Sequence, residues 1–329
     1  MEKECSLYKK EKANKVRCIA CSHRCLIAEN KTGICGVRKN IKGRLYLMVY
    51  GKLVAQHVDP VEKKPLYHFF PGSKAYSIGT IGCNFQCGFC QNFDISQVRN
   101  IIGLGTTPEE IVREAIKNKC ESIAYTYNEP TIYIEFVRDI ARIAKKKGLK
   151  NILVTNGYQT PECISFLAPY IDAMNIDLKS FSDKFYIKNC KARLNPVLEA
   201  IKLAYKKRIW IEITTLLIPR ENDSEKEMAQ IAKFISSVGK DVPWHISRFF
   251  PTYKMAEKEP TGISSLMKAY EIGRKCLNYV YIGNVPQENV TRCPKCKKPV
   301  ITRTGYLTES MLAGSKCPNC KTKIAGVFK

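Results

Sequence analysis

The chain has 329 residues, is 45% hydrophobic and carries a formal charge of +24. That is enough apolar material for a full-sized core with small appendages. No apolar run approaches the roughly 20 residues that span a bilayer, and the opening MEKECSLYKKEKANK is charged rather than apolar, so neither a membrane span nor a signal peptide is expected. The basic balance, with a pI near 9.4, fits either solvated lysine-rich helix faces or an acidic partner such as a phosphorylated substrate, RNA or an acidic protein. No motif of interleaved aromatic and basic residues supports RNA in particular.

In chain order, residues 1–74 read as a cysteine-rich module and its lead-in. They carry Cys18-Ile-Ala-Cys21-Ser-His23-Arg-Cys25 and then Cys35-Gly36. Four thiolates at this spacing suit a closed tetrahedral metal site, with His23 as an alternative ligand; unliganded thiols are the other reading.

Residues 75–290 alternate strands and helices. Strands are expected at 75–81, 122–127, 151–155, 173–178, 210–218 and 244–249, with a short addition at 279–282. One helix starts after Thr107, with Pro108 at its first position, and another runs from Pro130 or Thr131 to Gly148. A third opens at Ser224 with capping-box spacing to Glu227, and a fourth covers about 264–276. Residues 180–207 read as less regular helix broken at Pro196. Six β/α units imply parallel strands with right-handed crossovers, too few for a closed eight-fold barrel.

Residues 291–329 carry Cys293-Pro-Lys-Cys296 and Cys317-Pro-Asn-Cys320. Two such knuckles predict a zinc-ribbon or rubredoxin-like module, with Pro299–Leu307 supplying one hairpin strand. So small a module draws its folding energy from the metal. Either zinc or iron suits the flanking modules, and paired knuckles in a large α/β chain point to metals in a reducing cytoplasm rather than disulfides.

The most specific feature is Gly82-Cys83-Asn84-Phe85-Gln86-Cys87-Gly88-Phe89-Cys90. It lies just past a strand, where parallel α/β folds place their chemistry. A closed site takes four protein ligands, so three clustered thiolates leave one position open. The C-x3-C-x2-C spacing, with aromatic Phe89 before the last cysteine, resembles the signature of the radical S-adenosylmethionine (radical SAM) superfamily. The resemblance implies a partial (β/α)6 radical SAM barrel flanked by the two small modules. It also implies a [4Fe–4S] cluster on Cys83, Cys87 and Cys90, and reductive cleavage of SAM to a 5′-deoxyadenosyl radical that abstracts hydrogen from a substrate.

SAM contacts are then expected at strand ends. Glu129 would accept from the ammonium, or serve only as an acid at a helix start. Asn156 would reach the ribose or order its loop. Asn175, Asp177 and Lys179 alternate onto one face, with Asp177 suited to the ribose and Lys179 to the carboxylate. His245 and Arg248 are placed on a lip near SAM or substrate, with a satisfied core histidine as the other reading of His245.

The series C-x3-C-x2-C, Tyr-Thr-Tyr-Asn-Glu-Pro, Thr-Asn-Gly and Asp-Leu-Lys is similar to the glycyl-radical-enzyme activases, typified by pyruvate formate-lyase activating enzyme. There Asn128-Glu129 stands where the activases have Gly-Gly-Glu. The whole layout, including Trp244–Met255 and Ala325–Phe328, resembles the AmmeMemoRadiSam system radical SAM enzymes. Phe250 departs from the histidine expected in relatives, and Lys297 and Lys321 replace the glycine that usually follows each knuckle. The resemblance implies Memo-like and AMMECR-like partners and a flavodoxin- or ferredoxin-like electron donor. A glycyl radical activase acting on a protein glycine, and a non-catalytic zinc-rich RNA- or protein-binding protein, are the alternatives.

Overall fold

The computed structural model describes residues 2–329. Its centre is one eight-stranded sheet: β1 (Ala55–Pro60), β2 (Lys74–Gly79), β3 (Ser122–Tyr125), β4 (Lys150–Thr155), β5 (Ala173–Asp177), β6 (Trp210–Leu217), β7 (Trp244–Arg248) and β8 (Val280–Gly283). The strands lie side by side in chain order. β2 to β8 are parallel and β1 is antiparallel to β2. β1 and β8 form the two edges, so the sheet does not close. The expected parallel strands are all present, the short one at 280–283 included. β3 is buried at all four positions, as strands covered on both faces must be.

Helices return the chain between strands: α1 (Pro108–Lys117), α2 (Ile134–Lys146), α3 (Pro161–Leu167), α4 (Leu194–Lys206), α5 (Glu225–Val238) and α6 (Ile263–Arg274). At α1 the Thr107 hydroxyl accepts from Glu110 N at 3.2 Å, and the Glu110 carboxylate accepts from Thr107 N at 2.9 Å. This is the reciprocal capping box.

Three local expectations need correction. The turn Pro130–Tyr133 is 3₁₀, and α2 begins only at Ile134. Pro196 does not break α4; it sits in the first turn, where its missing N–H has no intrahelical partner to lose. Ser224 caps α5, but Glu227 turns away to accept from Phe181 N at 2.8 Å and from the Ser180 hydroxyl, so the box stays half formed.

The N-terminal residues form two small antiparallel sheets, Tyr8–Lys10/Val16–Cys18/Leu26–Ile27 and Lys3–Glu4/Arg44–Leu47/Arg38–Ile41. A buried ion pair, Arg38 Nη2 to Glu135 Oε2 at 2.6 Å, ties them to α2. Residues Asn289–Arg292, Pro299–Thr304 and Leu307–Ser310 make a third antiparallel sheet, with Gly305 in the left-handed region at the turn. Thus the segment read as one hairpin strand supplies a strand, a turn and the start of the next.

The C-terminal ends of β2 to β8 form the mouth of the half-barrel, and their N-terminal ends form its floor. Among the described residues no helix is long and apolar enough to cross a membrane.

Candidate functional site

The loop after β2 carries Cys83, Cys87 and Cys90 at the mouth. Its shape is fixed from both sides: Gln86 N donates to Cys190 O at 3.0 Å, Gly88 N donates to Asn189 O at 3.1 Å, and Lys254 N donates to Gly88 O at 3.0 Å. Phe85 N points at Cys83 Sγ at 3.4 Å, and the Ser96 hydroxyl lies 3.2 Å from Cys90 Sγ. Burial first, and then the Glu129 carboxylate, push the Cys83 thiol up, whereas the Cys190 thiol and then nearby Lys179 draw Cys87 down. Three free thiols on one loop, with no fourth cysteine in that loop, suit an iron–sulfur cluster that keeps one iron open to a ligand. Phe89 is buried beneath Lys179, whose Nζ lies 5.8 Å from the ring centroid.

Asp177 and Lys179, at the end of β5, form an ion pair of 2.7 Å with side-chain exposures of 33% and 14%. Burial works against the Lys179 charge, but Asp177 and the Cys87 and Cys190 thiols outweigh it and hold the ammonium well above its usual range. The ammonium therefore remains charged at the mouth. Asn175 lies deeper on the same face and is spent on structure: its Nδ2 donates to Pro65 O at 2.8 Å, and its Oδ1 accepts from Thr214 at 3.0 Å.

Glu129 is already heavily engaged, with three bonds on Oε1 and one on Oε2. Its carboxylate accepts from Thr131 N and the Thr155 hydroxyl, at 2.9 and 2.8 Å, from Asn156 N at 2.8 Å, and from the Thr131 hydroxyl. It is the acid at a helix start and the clamp of the loop after β4. Asn156 is likewise engaged, donating to Asn84 Oδ1 at 2.8 Å and accepting from Tyr158 N at 3.1 Å. The neighbour of Glu129 shows the opposite pattern. Asn128 Nδ2 donates to Thr80 Oγ1 at 3.0 Å and Gly82 O at 2.9 Å, which fixes the amide orientation, and its Oδ1 is buried with no partner. Such an orphan acceptor is costly unless something fills it.

His245 lies on the floor, not the lip. It is buried, donates from Nε2 to Glu212 Oε2 at 2.6 Å and stacks on Tyr281 at 5.4 Å. It is the satisfied core histidine. Arg248 does reach the mouth side, donating to Thr261 O at 2.9 Å with its guanidinium 4.9 Å over exposed Phe250.

Cys293 and Cys320 sulfurs are 3.5 Å apart and those of Cys296 and Cys317 3.7 Å apart, a cluster able to bind a metal ion. Cys18, Cys21, Cys25 and Cys35 line a small enclosed cavity together with His23 and Asn84. All sixteen cysteines are free thiols. No local pattern signals Cys190, which approaches Cys87 from the π-helical turn Tyr186–Cys190 between β5 and β6, nor Glu212; Asn84, lying between two motif cysteines, was within reach of the spacing argument.

The pattern of the radical SAM superfamily matches residues 77–232. An uncharacterized protein of Methanocaldococcus jannaschii is 43% identical over 98% of this chain and 98% of its own. A second protein of that organism, provisionally named a glycyl-radical enzyme activating enzyme, is 32% identical over 50% of this chain and 70% of its own. The pyruvate formate-lyase 1-activating enzyme of Escherichia coli is 24% identical over 48% of this chain and 67% of its own. In fold the chain is similar to a radical SAM methyltransferase from Sphaerobacter thermophilus, with TM-score 0.52 and 16% identity over 65% of this chain and 67% of that one. An enzyme by these relationships, the chain belongs to the radical SAM superfamily, which uses a [4Fe–4S] cluster and S-adenosylmethionine.

Proposed function

We propose that Cys83, Cys87 and Cys90 hold the [4Fe–4S] cluster and that SAM binds over it between Asn128, Asp177 and Lys179. The observation that carries this reading is the coincidence, at one mouth, of three free thiols on one loop, an orphaned amide oxygen and a partly exposed ion pair. The cluster and SAM together supply a 5′-deoxyadenosyl radical able to abstract hydrogen.

The protein's own residues have separable tasks. Asn128 Oδ1 takes the SAM ammonium beside Glu129, the acid first expected to do so, whose Oε2 accepts from Asn156 N alone. Asp177 faces the ribose and Lys179 the carboxylate. Glu129 and Asn156 hold the surrounding loops, Phe89 supports Lys179, and Arg248 lines the rim toward the substrate. His245 takes no part. Each flanking quartet, Cys18/Cys21/Cys25/Cys35 and Cys293/Cys296/Cys317/Cys320, holds metal, and residues 1–74, 75–290 and 291–329 act as lead-in module, catalytic unit and metal ribbon.

The substrate class supported best is a protein. The kinship with activating enzymes favours it, and the +24 charge favours an acidic or phosphorylated face on that partner. The full-length layout supports membership of the AmmeMemoRadiSam group, with Memo-like and AMMECR-like partners and a flavodoxin- or ferredoxin-like reductant in the cytoplasm. The second reading, favoured by the same activase kinship, is hydrogen abstraction from a protein glycine.

The test is anaerobic reconstitution followed by SAM addition and reduction. Wild type forms 5′-deoxyadenosine, and SAM perturbs the electron paramagnetic resonance spectrum of the reduced protein. The Cys83→Ala/Cys87→Ala/Cys90→Ala variant loses both. Retained cleavage in that variant would sink the assignment.

A further inference from the structure

Glu221 lies in the loop after β6 and is not among the groups placed at the cluster or at SAM. Its carboxylate is nonetheless where three loops of the mouth meet. Oε2 accepts from Asn189 Nδ2 and from Lys188 Nζ, each at 3.1 Å, both in the loop after β5. Oε1 lies 3.1 Å from Lys258 Nζ, in the loop after β7. We infer that Glu221 is a positioning residue for radical formation, which sets the cysteine loop against the strand end that bears Lys179. The inference rests on the reading of Cys83, Cys87 and Cys90 as cluster ligands and of Lys179 as a SAM contact.

The two loops that Glu221 joins are the ones that grip Gly88. Gly88 N donates to Asn189 O at 3.1 Å, and Gly88 O accepts from Lys254 N at 3.0 Å. A Cβ on Gly88 would lie 3.7 Å from Lys254 Cβ and 3.8 Å from Met255 Cε, so that turn packs directly on the cysteine loop. The turn is closed on itself: Met255 N donates to Thr252 O at 2.9 Å, and Lys258 N to Met255 O at 3.2 Å. A ring therefore runs from Gly88 through Asn189, Glu221, Lys258 and Lys254 back to Gly88, and one carboxylate closes it.

Glu221 is itself held in place. Its N–H donates to Ile218 O at 3.1 Å. The neighbouring Asn222, fully buried, accepts from Ile218 N at 2.7 Å and donates to Leu216 O at 2.9 Å and Lys179 O at 2.6 Å. That last bond reaches the residue proposed to meet the SAM carboxylate. One short segment thus holds the cysteine loop on one side and Lys179 on the other. The Glu221 side chain is only 13% exposed. Burial works against its charge, but Asn189, Lys188 and Lys258 outweigh burial and hold the carboxyl below its ordinary range. Two ammoniums therefore face an anion largely shielded from water, where such pairs are worth more than on the open surface.

The experiment uses Glu221→Gln in the full chain, which keeps the side-chain shape and removes the anion. After anaerobic reconstitution, iron content, SAM titration and the single-turnover rate of 5′-deoxyadenosine formation are measured. The cluster should be undiminished, at about four irons. SAM affinity should stay within about twofold of wild type while the rate falls about ten- to a hundred-fold, the scale on which small misplacements of reacting groups act. Lys258→Met opens the ring from its other side and should lower the rate likewise; the double variant should fall no further than the worse single one. Should Glu221→Gln not fold, Lys258→Met carries the same expectation and the same refutation. Glu199→Gln, which breaks an exposed pair with Lys202 on α4, should change nothing. An unchanged rate would overturn the inference. So would lost iron with an unchanged rate per cluster, since Glu221 would then be a structural clamp alone. Hydrogen exchange across residues 83–90 separates the ring from the chemistry, because it should quicken in Glu221→Gln whether or not SAM is cleaved. Quickened exchange in a protein whose wild type cleaves no SAM would sink the reading of the site and uphold the ring; unchanged exchange would sink the ring.

Discussion

The floor and the mouth of the half-barrel are built from the same strands, and both bury charged side chains. On the floor, Glu212 accepts from Tyr67 N at 3.0 Å, His68 N at 2.7 Å, Trp210 Nε1 at 3.0 Å and His245 Nε2 at 2.6 Å. Beside it runs a directed chain. Arg303 Nη1 donates to Thr291 Oγ1, that hydroxyl to Tyr281 Oη, and Tyr281 to His68 Nε2, while His68 Nδ1 donates to Ala325 O. The carbonyl at one end and the guanidinium at the other fix the neutral His68 tautomer. At the mouth, Asn128 Oδ1 has no partner and the Asp177–Lys179 pair meets solvent. A buried charge at a strand end therefore does not mark a site.

The comparison can be broken in several places. The largest effect is expected from the cysteine loop, where the triple alanine variant should lose SAM cleavage altogether while the floor's thermal unfolding changes little. Next comes Glu212→Ala. It strands several buried donors, so unfolding free energy should fall by about 3–5 kcal/mol, with SAM affinity of the folded fraction unchanged. A fall in affinity without loss of stability would place Glu212 in the wrong class.

Acid separates the two ends without mutation. Burial holds the fully buried His68 down at about 4. Its folded value lies below its unfolded value, so its contribution is complete above about pH 6.5 and is lost as pH falls toward 4. The expected loss is about 3 kcal/mol. Denaturant melts across that window should be steeper in wild type than in His68→Gln; parallel curves would reject the neutral-histidine floor.

Smaller effects follow. Lys179→Ala removes one charge-assisted bond worth roughly 1.5–3 kcal/mol, so SAM should bind about ten- to a hundred-fold more weakly at nearly constant melting temperature. SAM titration against the iron–sulfur spectrum measures it, and unchanged affinity would remove Lys179 from the site. Smallest is Thr107→Ala, which deletes the α1 cap at a cost of about 1 kcal/mol and should leave the SAM titration untouched.

The parallel strands were legible because most are short, largely apolar runs bounded by turns, and their ends fall within two residues of expectation. β1 was not legible. Ala55–Pro60 is an edge of mixed burial, with Gln56 half-buried, His57 exposed and Asp59 buried in its pairs with Lys63 and Lys64, and shows no apolar run. At the mouth, alternation along β5 was enough to pair Asp177 with Lys179. It does not extend to Asn128 and Glu129, because the preceding Tyr127 turns through the left-handed region, with φ of 68°, and breaks the strand alternation there. His245 was undecidable for a related reason. Its partner Glu212 comes from the adjacent strand, and only the register that sets Thr214 beside His245 brings them together. Cys190 reaches Cys87 from the end of the π-helical turn Tyr186–Cys190, and local pattern holds no trace of that packing.

The attachment of Tyr67–Phe70 to residues 325–328 has a consequence for chain synthesis. Phe70 N donates to Val327 O and Val327 N to His68 O, both at 2.7 Å, and His68 and Ala325 are 257 residues apart. A ribosome releases the histidine and its aromatic neighbours long before the backbone that covers them. All seven parallel strands must then emerge while this patch waits uncovered, the circumstance in which nascent chains engage chaperones or aggregate. The barrel can begin to pair as its strands appear, but its underside seals only when the last strap of polypeptide arrives.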